Sequence, residues 1–503
     1  MATARSGGRV PVIVAAAQLA NKDANRIASP LDLAHEAVLR AAADTPSLLD
    51  RIDALYCPPA SVFAPRTLAD ELGEMLDVVG PRVTASFSGA GPLTLLAQAC
   101  EAVINGSARV ALVAGSVAEA SVKVARAQGI EVVQSAPWSQ GTAGRRPLLR
   151  DDERREFFGA ESAAGVTGPG DIFALVESAL AHEAGRDPYT QRLWLGELMA
   201  PFTKVAASRP ELAWFPIERT AAEISTITAD NRMVAEPYPK RMNSFPMVDL
   251  AAAFFVTTDA VADELGIDEH ARVYPWSTGH CKDVAPPSGR PNMHRSGALL
   301  AAVEATMRGA QLGVDEITAF DLYSCFPAAV QLSVNALGLD VDDPRGFTLT
   351  GGLPYFGGPG ATYVTHAIVS AVERCRGAAN ERALVVGVGG APSDFAATVF
   401  AARQPSAPWS LERCESMAAV LEAERVQVDN ARSGLATVDA MTVVHDRELG
   451  PVSAPMVARF ADGVRSGACA AATSVARELE GVSLVGRKVR VSERDGRQVF
   501  EPA

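Results

Sequence analysis

An internal duplication constrains the fold of this chain more than any other feature. In the first half a helical pattern from Leu31 to Ala42 leads into Asp50-Arg51-Ile52-Asp53-Ala54-Leu55. A glycine-bearing turn (Ser86-Phe87-Ser88-Gly89), a helical stretch (Leu93 to Ile104) and an apolar run (Arg109 to Gly115) follow. The second half repeats that order. A helical pattern from Gly297 to Ala310 precedes Asp315-Glu316-Ile317-Thr318-Ala319-Phe320. The turn Gly357-Gly358-Pro359-Gly360, a helical stretch from Tyr363 to Cys375 and the run Arg382 to Gly387 come next. Continuous Val/Leu runs alternating with helices predict sheets covered on both faces. Two such halves packed together predict a layered α/β/α/β/α core.

The remaining segments break this pattern. Residues 125–242 are rich in Arg, Pro and Gly, with helical pieces near Ile172–Ala184 and Tyr189–Met199, and read as a loop domain inserted in the first half. The run Arg150-Asp151-Asp152-Glu153-Arg154-Arg155-Glu156 alternates in sign, as a solvated segment does, and its carboxylates are not read as acid/base catalysts. An α/β pattern returns from Ser244 to Leu265. The expected division is therefore 1–124 with 243–268, 125–242 and 269–404, followed by a separate unit at 405–503. That last unit opens with a helix-like piece (Leu411 to Arg425). Short runs follow at Ala436–Val444, Val452–Arg459 and Ser483–Val491, separated by turn signals such as Asp462-Gly463 and Asp495-Gly496. It reads as a small β-rich domain of the OB type.

Composition excludes some functions. A net charge of −13 argues against a nucleic-acid partner or an anionic membrane surface. The seven cysteines are scattered without a CxxC pair, as expected of a reducing compartment without structural zinc. The run Val10 to Ala15 is too short to span a membrane and lacks a signal-peptide cleavage context. A cytoplasmic protein is expected.

Over about residues 8–402 the duplication, the inserted loop domain and several motifs resemble the thiolase superfamily. The resemblance is closest to thiolase-like proteins with an extra C-terminal domain, often named acetyl-CoA acetyltransferases. Asp249-Leu250-Ala251-Ala252-Ala253 is similar to the family's DGAAA segment. Asp321 to Pro327 and Thr350 to Gly360 are longer and more specific. A thiolase has a nucleophilic Cys in CxSG, an Asn or His opening NEAF or HDCF, a His in GHP and an acid/base Cys in CxGG. On this resemblance the equivalent positions here hold Ser86, Tyr323, Gly358 and Gly387, so all four side chains are substituted.

The chemical cost is large. Thiolysis needs a nucleophile ionised near neutral pH, which a cysteine of pKa about 8.5 or lower supplies. A serine hydroxyl needs a base to take its proton, and Gly358 supplies no imidazole. Claisen condensation needs a second base, and Gly387 has none. Losing a nucleophile that acts as part of a unit costs about 10⁶-fold in rate, so ordinary acetyltransferase activity is not expected. Backbone donors survive any substitution, and the resemblance places an oxyanion hole at the amides of Ser86 and Gly389. The expectation is a protein of lipid metabolism that binds CoA or acyl-CoA as ligand, with no bound cofactor and no metal. For the CoA phosphates and adenine the candidates are Lys204, Arg219, Arg232, Lys240, Arg241 and Trp214.

Other readings remain open. Superfamily aldolases that cleave β-hydroxyacyl-CoA use tyrosines and work with an OB-like partner. The resemblance thus makes Tyr323 and Tyr355 candidates for a lyase, and a phenol of pKa about 10 would need a charged neighbour to act as base. Cys325 could be a relocated nucleophile, although buried cysteines usually pack as small apolar groups. His366 reads as a packing residue. Gly279-His280-Cys281 is a weak metal-like motif without a second ligand pair. A third reading is a scaffold whose C-terminal domain recruits a protein partner.

Overall fold

The computed structural model describes residues 9–60, 67–130, 159–166 and 168–502. The charge run 150–156 lies outside the described residues.

Each half forms a five-stranded sheet. The first has the spatial order Pro11–Ala20, Asp249–Thr258, Ala111–Ala118, Ala54–Cys57, Arg82–Thr84. The second has Ser410–Arg413, Tyr274–Lys282, Asp394–Ala401, Arg382–Gly389, Ala319–Leu322. Four strands correspond in order and direction. In each half the opening strand pairs antiparallel with the closing one, which pairs antiparallel with the next, and a parallel neighbour follows. The fifth strand differs. Arg82–Thr84 extends the parallel edge of the first sheet, whereas Ser410–Arg413 adds to the opposite edge of the second, parallel to Tyr274–Lys282. Residues 411–413 were expected to begin a helix, which instead spans Glu415–Ala423. Pairing with a distant edge outweighs the local helical preference there.

The layers follow from where the apolar surface lies. Both residue faces of Asp249–Thr258 are buried, as a strand between two helical layers requires. Helices Gly91–Asn105 and Tyr363–Cys375 touch each other and both sheets, so they form the central layer. Pro30–Ala41 covers the outer face of the first sheet and Gly297–Ala310 that of the second. Local signals set the ends of these helices. Ser29 caps Pro30–Ala41 through a reciprocal box with Asp32, and left-handed Gly106 terminates Gly91–Asn105. The result is the layered α/β/α/β/α architecture expected from the duplication.

The inserted segment contributes helices Pro169–Glu183 and Pro188–Ala207 and the strands Met233–Ala235 and Tyr238–Pro239. After residue 433 a closed barrel forms in the order Gly434–Met441, Pro455–Arg459, Arg465–Ala470, Arg497–Pro502, Lys488–Arg494. In chain order that is 1-2-3-5-4, with helix Thr473–Glu478 between the third and fourth strands. The arrangement is that of an OB-type barrel, with its own apolar centre around Val438, Met456, Val489 and Phe500. Among the described residues, no helix is long and apolar enough to cross a membrane.

Candidate functional site

Two cavities open around the starts of the central helices. One, of about 540 Å³, is walled by Phe87, Ser88 and Gly89 from the first-half turn and by Tyr323, Cys325 and Phe326 from the segment after Ala319–Leu322. Gly358, Gly360, Val388, Gly389 and Gly390 contribute backbone from the second half, and Pro169, Gly170 and Phe173 close it from the inserted helix. The volume falls in the range of small-molecule cavities. The other, of about 450 Å³, is lined by Ser86, Gln98, His280 and Arg413. Lys282 and Asp394 belong to both walls.

The four substituted positions are accommodated in different ways. A Cβ at Gly387 would lie 2.8 Å from the Gly89 carbonyl oxygen and 3.0 Å from Ala90 Cα. Backbone cannot rotate aside, so no larger residue fits without moving the turn. A Cβ at Gly358 would lie 1.9 Å from Ser244 Oγ, a group that can turn away. Tyr323 is buried in the cavity wall against Gly89 and meets Tyr363 edge-on, with ring centres 5.6 Å apart. Burial drives its phenol pKa well upward. Ser86 faces the 450 Å³ cavity rather than the one that Gly389 lines.

Of the two serines in the first-half turn, Ser88 and not Ser86 lines the larger cavity. Its hydroxyl donates to Asp394 Oδ2 at 2.6 Å and accepts from the Ala90 amide at 3.1 Å. The other carboxylate oxygen of Asp394 pairs with His280 Nε2 at 2.7 Å. Burial opposes the charge on Asp394, yet His280, Ser88 and Lys282 together hold its pKa below the ordinary carboxylate value. The order matters chemically. In an acyl-transfer triad an imidazole stands between hydroxyl and carboxylate and takes the proton. Here the carboxylate stands in the middle and is a weak base, so Ser88 is not activated.

Glu119 also lines the larger cavity, and its Oε2 is buried without a hydrogen-bond partner. Burial raises its pKa, Arg126 counters and the charge of Asp249 adds to the rise. A carboxyl of this kind can hold a proton at higher pH than an exposed one. Asp249, in the DGAAA-like segment, is tied up structurally, accepting from Ser121 at 2.5 Å and Asn21 at 3.0 Å.

Other expected site residues lie elsewhere. Tyr355 is buried outside both cavity linings, with its hydroxyl unpartnered and its pKa raised by burial. The structure therefore does not bring it to the cavity that Tyr323 lines. Cys325 is in the wall, but burial pushes its thiol pKa far up, away from thiolate character. None of Lys204, Trp214, Arg219, Arg232, Lys240 and Arg241 lines either cavity. Lys204 and Lys240 are exposed, Arg232 donates to the Met233 carbonyl, and Trp214 packs against the main core. Arg219 and Arg241 act electrostatically on Tyr355. His366 is fully buried on helix Tyr363–Cys375, paired with Gln18.

Sequence reasoning missed Ser88, Asp394, Glu119 and Lys282. Ser88 gave a signal, since it stands three residues before the helix that the turn introduces. Asp394 gave none, because its partners are 306 and 114 residues away.

Neither the family-level comparison nor the comparison with curated proteins found a match. Solved structures do match. A monomeric SCP2-thiolase-like protein type 1 from Mycobacterium smegmatis is 27% identical, with 98% of this chain and 99% of that chain covered at a TM-score of 0.83. The likeness thus extends through the C-terminal barrel. The Ltp2–ChsH2(DUF35) aldolase matches 79% of this chain and 99% of that one, at 19% identity and a TM-score of 0.58, a likeness of fold alone. The fold is that of the thiolase-like proteins that carry an extra C-terminal domain.

Proposed function

We propose that this thiolase-like protein binds the acyl end of an acyl-CoA in the 540 Å³ cavity and does not carry out thiolysis or Claisen condensation. One observation carries the reading: backbone of Gly89 and Ala90 fills the space that a side chain at Gly387 would need. The acid/base position is thereby closed by packing as well as by substitution, while the cavity in front of it stays open. Ser88, hydrogen-bonded to a carboxylate of lowered pKa, lacks the base that would make it a nucleophile. Calorimetry with CoA and a medium-chain acyl-CoA tests the binding, and acetoacetyl-CoA thiolysis tests the rest. Saturable acyl-CoA binding without turnover is expected. Absence of binding at millimolar ligand would leave the scaffold reading. Turnover near 10 s⁻¹, an ordinary enzymatic rate, would refute the catalytic half.

A second reading, an acyl-CoA aldolase or lyase, draws on a different observation. Tyr323 and Glu119 line the same cavity, and Glu119 carries an unpartnered oxygen and a raised pKa. A retro-aldol step needs one group to take the β-hydroxyl proton and another to protonate the enolate. Glu119 shares the cavity with Tyr323 and Tyr355 does not, which favours Glu119 as the second group in this reading. Cleavage of a β-hydroxyacyl-CoA, lost in Glu119→Gln and Tyr323→Phe, would establish it.

A further inference from the structure

We propose that Glu236, His445 and Glu480 form a binding site for a divalent transition cation of the Zn²⁺ type, joining the inserted segment to the C-terminal barrel. Ala235, at the end of strand Met233–Ala235, pairs with Val444 of strand Val444–Asp446, which belongs to the C-terminal region. Glu236 and His445 each follow one of these paired residues. Glu480 follows helix Thr473–Glu478 and arrives from a third direction. One ligand atom from each residue lies within 4.8 Å of the other two. Bonds of about 2.0–2.2 Å to a tetrahedral ion hold donor atoms roughly 3.3–3.6 Å apart. A separation of 4.8 Å would shorten by roughly 1.2–1.5 Å to close the site.

His445 supplies an observation independent of the acidic residues. Its side chain is only 6% exposed, and its Nε2 is buried without a hydrogen-bond partner. The nearest carboxylate oxygen, on Glu480, is 3.9 Å away, beyond hydrogen-bond reach. Leaving a buried ring nitrogen unpaired is costly, and a cation between His445 and the carboxylates would satisfy it. Glu236 is already oriented, since its Oε1 accepts from the Gly481 amide at 2.8 Å. Glu236 and Glu480 bring like charges together there, which a divalent ion would neutralise. Arg192 acts on Glu236 and Arg232 on His445, so two single positive charges flank the site.

The donor set selects the ion. One imidazole with two carboxylates suits Zn²⁺, Co²⁺ or Fe²⁺, with remaining positions held by water. It is too small and too nitrogen-bearing for Ca²⁺, which takes six to eight oxygens. Nothing in the acyl-CoA reading uses these residues, so the two proposals stand or fall separately.

The test is calorimetry of the chelator-stripped full chain with Zn²⁺, followed by Co²⁺ absorption. One saturable site is expected, together with a rise in melting temperature. Glu480→Gln, at a half-exposed position that should keep the fold, and His445→Ala should each weaken the affinity at least tenfold. Unchanged affinity in Glu480→Gln would overturn the proposal, as would absence of saturable binding at millimolar Zn²⁺. A thiolate-to-cobalt charge-transfer band would also overturn it, because the ion would then sit on a cysteine.

Discussion

In the first half the central helix Gly91–Asn105 is entered through a turn with two hydroxyls, Ser86 and Ser88, and carries no charged residue before Glu101. In the second half the matching helix Tyr363–Cys375 is entered through three glycines, and it buries His366 at its first turn. The sheets behind the two helices repeat each other, yet the helix starts have diverged. Polar side chains lining the cavity come from both halves, Ser88 and Glu119 from the first and Lys282, Tyr323 and Asp394 from the second. The glycine-rich turns of the second half add backbone. Duplication thus preserves the layers, which depend on apolar periodicity, and leaves the loops at the ends of the strands free to specialise.

His366 gives the largest expected break between the halves. Burial lowers its pKa to about 3, against about 6.5 in an unfolded chain. Between those values the unfolded state binds a proton that the folded state refuses. Stability should therefore fall as pH drops from about 6.5 towards 3, by several kcal/mol in all. Urea unfolding between pH 7 and 4 should show this acid limb flattened in His366→Gln. A limb of equal steepness in the variant would assign it to other groups.

The next effect compares the glycines. Gly387→Ala should destabilise by about 1–3 kcal/mol, as overpacking against fixed backbone does. Gly358→Ala should cost less, because the Ser244 hydroxyl can rotate. Denaturant midpoints of the two variants decide the order, and the reverse ranking would mean that the first-half turn is mobile.

Asp394 joins the halves, and Asp394→Asn should cost about 1–2 kcal/mol at pH 7. Because its folded pKa is lowered, its contribution is present above the ordinary carboxylate value and is lost as pH falls through the folded one. The variant should therefore lose less stability than the wild type below about pH 4. Parallel acid titrations followed by circular dichroism would reveal any such difference.

The smallest contrast is between the two serines of one turn. Ser88→Ala leaves Asp394 a donor short and should cost about 1 kcal/mol. Ser86→Ala should stay within about 0.5 kcal/mol. Equal effects would place both hydroxyls in one network.

Much of the fold was legible from local pattern. Tyr363–Cys375 is periodic and bounded by glycines upstream and Arg-Gly downstream, and its ends fall where the pattern places them. Leu411 was misread because its strand partner is Thr278, far away in the chain. At the site, the motif directed attention to Ser86. Which serine faces which cavity depends on how the turn sits against Val388 and Tyr323, contacts that no local pattern encodes. His280 drew notice as part of a weak metal-like motif, whereas its ring is paired with Asp394.

The sequence alone determined the two repeated α/β halves, the β-rich C-terminal unit and the lack of thiol or imidazole at Ser86, Tyr323, Gly358 and Gly387. Those properties reside in periodicity and residue identity, which are read along the chain. Tertiary structure alone decided what occupies the space at those positions: backbone against Gly387, a hydroxyl against Gly358 and a ring beside Gly89. It also decided that a serine and a carboxylate 306 residues apart share a hydrogen bond. Packing contacts and buried charge pairs form between segments that only the folded chain brings together, so their chemistry has no signature in the order of residues.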